Sequence, residues 1–145
     1  MQSTETKYDV VIVGGGPGGL AAAKGAREAG AKSVLVLERD DRLGGILPQC
    51  VHDGFGLVHY REALTGPEYA RRAREEAEQA GAELKTGAMV TGLTKERVVT
   101  AVTREGLLTC RAGAVVLATG CRERTRGAIA IPGTRPAGEI GRAHV

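Results

Sequence analysis

An α/β domain with a parallel sheet is what this sequence predicts, and three observations carry the expectation. The apolar run from Tyr8 to Val13 leads directly into Gly14-Gly15-Gly16-Pro17-Gly18-Gly19, and a small-residue helical pattern follows. A second apolar run, Ser33 to Leu37, then ends on a carboxylate at Glu38. Further on, three short β-rich runs separated by turn residues predict an antiparallel three-stranded meander.

Strand, glycine turn, helix and second strand in that order read as a Rossmann-like dinucleotide-binding unit. Gly14 lets the chain leave the strand in a tight turn. Gly16 removes the side chain that would hold backbone away from a pyrophosphate, and Gly19 lets the helix lie close to the sheet. With Pro17 and Gly18 between them, they place the diphosphate at a helix N-terminus, where unpaired N–H groups and the helix dipole favour an anion without a basic side chain. Glu38, nineteen residues beyond Gly19 and followed by Arg39, can accept hydrogen bonds from ribose hydroxyls and would repel a 2′-phosphate.

Composition narrows the classes. At 145 residues the chain can form one domain with a core but is far shorter than a two-domain dehydrogenase. The aromatic residues are only Phe55, Tyr8, Tyr60 and Tyr69, which argues against a base-stacking nucleic-acid platform. A net charge of +3 is mild, and Arg71, Arg72 and Arg74 are interleaved with Glu68, Glu75, Glu76 and Glu78, a solvated, ion-paired face. No nucleic acid and no membrane is expected as a partner, because no run is long enough to cross a bilayer and residues 1–7 are polar. Cys50, Cys110 and Cys121 show no metal or disulfide spacing; a cytoplasmic, reducing setting without a metal site follows.

Taken in order, the first helix is expected from Gly18 to Ala29 and closes at Gly30. Arg39 to Gly45 reads as a polar loop ending in paired glycines that allow close backbone approach to a ligand. Residues 46–66 read as loop with one short helix near His59 to Leu64. Gly66-Pro67 opens a second helix that reaches Ala80 and stops at Gly81. Glu83 to Lys85 is a candidate third parallel strand. The meander occupies Ala88 to Thr94, Val98 to Arg104 and Leu107 to Arg111, and a separate buried strand, Ala114 to Ala118, ends at Thr119-Gly120 and returns to the parallel sheet.

The fingerprint, Glu38, Gly44-Gly45, the meander and Ala118-Thr119-Gly120 together resemble the FAD-binding domain of the two-dinucleotide-binding-domain flavoproteins, the pyridine nucleotide-disulfide oxidoreductase-like group. The stretches Leu43 to Gly56 and Ala118 to Arg124 are similar to a narrower set, the relatives of opine oxidase, hydrogen-cyanide synthase and heterotetrameric sarcosine oxidase large subunits. The resemblance implies non-covalent FAD, with pyrophosphate at Gly14 to Gly19 and adenosine ribose at Glu38. It further implies adenine contact from backbone near Val90, and contacts near Gly44 and Gly45 and at Ala118, Thr119 and Gly120. NAD(P)H use and partner subunits are implied for a full-length protein.

Where glutathione-type disulfide reductases carry a redox cysteine pair after the paired glycines, this sequence has Leu47 and His52, which closes that route to a dithiol. Cys50 reads as a small buried residue in preference to a reactive thiol. His52 and Asp53 are candidate proton carriers, or loop residues that are only hydrogen-bonded. Arg122 and Arg124 are candidates for phosphate or acidic-substrate contact, or for surface hydrogen bonds. Residues 139–145 resemble the translated start of a sequencing adapter, so 1–138 is expected to be the N-terminal part of an FAD-binding domain and the seven-residue tail non-native.

The function expected is the FAD-binding portion of an oxidoreductase that moves hydride between FAD and a small-molecule substrate or NAD(P)H, with no catalytic residue assigned. The alternatives are a non-catalytic dinucleotide-binding fragment and an NAD-binding dehydrogenase domain, the latter disfavoured by Gly44-Gly45 and the meander.

Overall fold

The computed structural model describes residues 6–121 together with Ala128 and Ala130. Arg122, Arg124 and the 139–145 tail lie outside the described residues. In chain order the elements are β1 (Thr6–Val13), α1 (Pro17–Glu28), β2 (Val34–Leu37), a short 3-10 turn (Leu47–Gln49), α2 (Gly66–Gln79), β3 (Glu83–Lys85), β4 (Met89–Leu93), β5 (Val98–Thr103) and β6 (Gly106–Leu117).

The six strands form one mixed sheet in the order β3-β2-β1-β6-β5-β4. β1 pairs in parallel with β2 on one side and with β6 on the other, so the strand order reverses between β1 and β6. Their C-terminal ends therefore share one edge, where open α/β sheets place their ligands. Alternation along the strands splits the core in two. Ile12, Val34 and Val36 face α1 and α2, where they meet Leu20, Ala23, Ala73 and Ala77. Val11, Leu35 and Leu37 point the other way, against Val99, Ala101 and Cys110 of the meander.

Two expectations need correction. The runs 107–111 and 114–118 are not separate strands: β6 is continuous from Gly106 to Leu117. Its first half pairs antiparallel with β5, its second half parallel with β1. The intervening Ala112-Gly113 is small because the strands come close there, not because the strand stops: a Cβ on Gly113 would lie 2.7 Å from the Asp9 carbonyl oxygen. Nor is its second half fully buried, since Ala114 is exposed and Leu117 is 65% exposed.

The second correction is that no helix forms over 59–64. Phe55 and Leu64 exchange backbone hydrogen bonds at 3.0 and 2.8 Å, and Arg61 is left-handed (φ 55°), so the segment closes as a turn. Its anchor is aromatic. Tyr60 meets Tyr69 of α2 edge-on at 5.2 Å between ring centres, His59 lies edge-on to Tyr60, and the Arg72 guanidinium sits 5.5 Å from the Tyr60 ring centre.

The helices stop as expected, each followed by a left-handed glycine, Gly30 and Gly81. α1 and α2 are joined by Lys24 Nζ to Glu76 Oε2 at 3.0 Å and by Arg27 Nε to the Ala80 carbonyl at 2.8 Å, a cation on the negative end of α2. The Arg71–Glu75 and Arg74–Glu78 pairs confirm the ion-paired surface of α2.

Two expected outcomes follow from this packing. A Cβ on Gly19 would overlap the Gly14 carbonyl oxygen, whereas one on Gly18 meets nothing within 4 Å among the described residues. In urea denaturation Gly19→Ala should lose about 2 kcal/mol or more, and Gly18→Ala should lose nothing. Equal stability of the two variants would contradict the close helix–sheet contact.

The second concerns Glu76. Burial raises its carboxyl pKa, but hydrogen bonds from Lys24 and Tyr60 outweigh it and hold the group below its ordinary value. Burial, then the hydrogen bond to Glu76, pushes the Tyr60 hydroxyl up to about 12. A depressed carboxyl contributes stability above its unfolded value of 4.5 and loses that contribution as pH falls through its folded value. Wild-type Tm should thus drop more steeply with acidification than that of Glu76→Gln; parallel Tm curves in differential scanning calorimetry would refute this.

Candidate functional site

The two helices begin in opposite ways. At α2, Thr65 and Glu68 form a reciprocal capping box, with the Thr65 N–H donating to Glu68 Oε2 at 2.7 Å and the Glu68 N–H donating to Thr65 Oγ1. Its first turn is satisfied from within the chain. At α1 the N-cap is Gly16, no side chain caps the turn, Pro17 stands at the first helical position, and the first turn carries no acid. The positive end of α1 is left for an outside acceptor.

What faces that end is the second glycine pair. Gly44 N–H donates to the Gly15 carbonyl at 2.8 Å and holds the two loops together. Gly45 is left-handed (φ 59°), and a Cβ there would stand 3.2 Å from the Gly16 Cα. A Cβ on Gly16 would in turn meet only the Gly45 Cα, at 3.8 Å, among the described residues. The facing surfaces are bare backbone, a cradle that side chains at either position would fill. This fits a diphosphate.

The floor is set by Gly14 (φ 110°), where an added Cβ would overlap the Ala118 carbonyl oxygen and reach 3.3 Å from the Thr119 nitrogen. The Ala118 N–H donates to Val13 at 2.8 Å. The structure thereby brings Ala118 and the start of the Thr119-Gly120 segment against the glycine turn. Arg39 is exposed and lies 3.8 Å from Asp40. Val90 is half-buried on β4, next to a register shift between Val90 and Gly92, and packs on the meander-side core.

Glu38 is only 7% exposed. Its Oε2 accepts from the Gly15 N–H at 2.7 Å and its Oε1 from the Asp40 N–H at 2.9 Å, while its backbone bridges Lys85 and Ala88. The carboxylate is fixed in place, and each oxygen retains a lone pair for a ligand hydroxyl. Gly15, to which sequence reasoning gave no role, is what makes this possible: a Cβ there would overlap the Leu43 side chain and stand 3.0 Å from the Glu38 Cβ. The uninterrupted run of three glycines was its signal.

The loop after Gly45 gathers no catalytic set among the described residues. Cys50 is half-buried, with its thiol 3.6 Å from the Ile46 carbonyl. The exposed His52 Nδ1 lies 3.0 Å from the Asp53 backbone oxygen, not from its carboxylate. No group of three or more His, Cys, Asp or Glu residues is arranged for a metal, and no helix is long and apolar enough to cross a membrane, among the described residues.

Residues 12–79 match the family model described as an NAD(P)-binding Rossmann-like domain. The chain is 32% identical over 129 residues to thioredoxin reductase of Treponema pallidum, covering 89% of this chain and 39% of that protein. It is 36% identical over 127 residues to one of the opine oxidase subunits of Rhizobium meliloti, covering 81% and 23% respectively. Its fold matches the structure of a thioredoxin reductase from Gloeobacter violaceus with a TM-score of 0.65 at 29% identity, over 83% of this chain and 39% of that one. The chain spans less than half the length of the curated relatives it matches. Sequence, fold and glycine cradle agree: residues 12–79 match an NAD(P)-binding Rossmann-like domain, and the chain is similar to part of thioredoxin reductase and of an opine oxidase subunit.

Proposed function

We propose that this chain is the FAD-holding portion of a flavoprotein oxidoreductase that moves hydride between a small substrate or NAD(P)H and its flavin. The observation that carries the reading is the uncapped, acid-free N-terminus of α1 facing bare backbone at Gly45. Gly16, Gly18 and Gly19 offer the pyrophosphate their backbone N–H groups, Pro17 opens the helix beneath it, and Gly14, whose own N–H donates to the Leu37 carbonyl, shapes the turn that holds them there. Glu38 takes the adenosine ribose, Arg39 and the Val90 backbone border the adenine, and Gly44, Gly45, Ala118, Thr119 and Gly120 line the course toward the flavin. Bound flavin supplies the hydride acceptor; the chain's own contribution is to bind and orient.

Relatives named thioredoxin reductase, ferredoxin–NADP reductase and opine oxidase support a redox reading and leave the substrate open. The opine oxidase relative is named as one subunit of its enzyme, which motivates partner subunits for the whole protein here. A second reading is a binding module without turnover; the family model that matches residues 12–79 is described by its binding alone.

Purified protein is expected to carry flavin that denaturation releases. Gly16 has extended backbone (φ −73°, ψ 179°) that any residue adopts, so Gly16→Val should still fold, losing about 1 kcal/mol as a poorer N-cap, but bind flavin at least about tenfold more weakly. A colourless protein that binds NAD alone would overturn the proposal. FAD-dependent reduction of an artificial acceptor by NADH or NADPH separates the two readings: turnover rules out the bare binding module.

A further inference from the structure

A second concavity, of about 570 Å³, lies apart from the Gly16–Gly45 crevice, between the 41–43 loop, the end of β3 and the outer face of α2. Its floor is apolar: Leu43, Pro48, Pro67, Ala70 and Leu84. Three arginines share its lining, Arg42, Arg71 and Arg74, with Asp41, Glu78 and Thr86. Both carboxylates are already engaged, Asp41 by Arg104 and Glu78 by Arg74 at 3.7 Å. Arg71 is held by Glu75 at 2.8 Å. Arg42 is exposed and makes no ion pair among the described residues, which leaves an uncommitted cation over an apolar floor.

We propose that this concavity binds a small organic anion, a flat apolar body carrying a carboxylate or phosphate. Its volume falls in the range of small-molecule pockets, and the two proline rings and Leu84 offer the flat apolar contact. Arg42 supplies the forked donor that carboxylate and phosphate groups match. The site neighbours the dinucleotide crevice through Leu43. Leu43 lines this concavity and also occupies the space a Gly15 side chain would need, and Gly15 holds Glu38. The two sites thus lie on opposite sides of Leu43 and Gly15, close to each other but separately lined.

The test is an amide NMR titration of the 145-residue chain with phenyl phosphate, run with and without saturating ADP. Saturable shifts at residues 41–43, 70–78 and 84–86 that persist with ADP are expected. Arg42→Ser, an exposed substitution, should weaken binding about tenfold with an otherwise unchanged spectrum. Inorganic phosphate alone should bind more weakly, since it lacks the apolar body. Shifts confined to residues 14–19 and abolished by ADP would assign the ligand to the dinucleotide crevice and overturn the proposal. So would unsaturable shifts, or an Arg42→Ser variant of undiminished affinity.

Discussion

The buried hydrogen bond from the Gly15 N–H to the Glu38 carboxylate is the contact on which the ligand edge of this fold depends. A carboxylate this far from water needs partners, and it finds two backbone N–H groups, at Gly15 and Asp40. Charge-assisted bonds of this kind contribute about 1.5–3 kcal/mol each. Their larger effect is geometric. They join the end of β2 to the turn after β1, while the Glu38 backbone joins β2 to the segment after β3. One residue thus sets the relative height of three strand ends.

The contrast between the helix starts has the same logic. Where the chain supplies its own acceptors, as Thr65 and Glu68 do for α2, the first turn is closed to ligands. Where it supplies glycine and proline, the turn is stable only because helix and sheet pack through small residues, and the orphan donors remain for an anion. Binding capacity at α1 is thus the complement of self-sufficiency at α2.

Much of this was legible in sequence because it depends on local chemistry. Turn glycines, helix stops and the alternation of β1 and β2 are each written within a few residues. Gly14 turns the chain and Gly19 packs closely on it as their spacing implied, and Ala118 meets Gly14. What escaped depends on distant partners. Ala112-Gly113 looks like a strand break until Asp9 is seen pressing against it. The 59–64 stretch has helix-forming residues, yet Tyr69 and Arg72 on another element, with the Phe55–Leu64 pairing, decide its shape. Gly15 needed Leu43 and Glu38 in three dimensions before its role was visible.

The double pairing of β6 bears on how the chain assembles during synthesis. β1, α1 and β2 emerge early and can begin to pack, but β1 stays an open edge until residues 106–117 have left the ribosome. Those residues must also close the hairpin with β5. Completion of the central sheet and of the meander is therefore one late event, driven by long-range contacts that are slow to form. A nascent chain halted before residue 106 would expose the unpaired flank of its central strand to other chains and to chaperones.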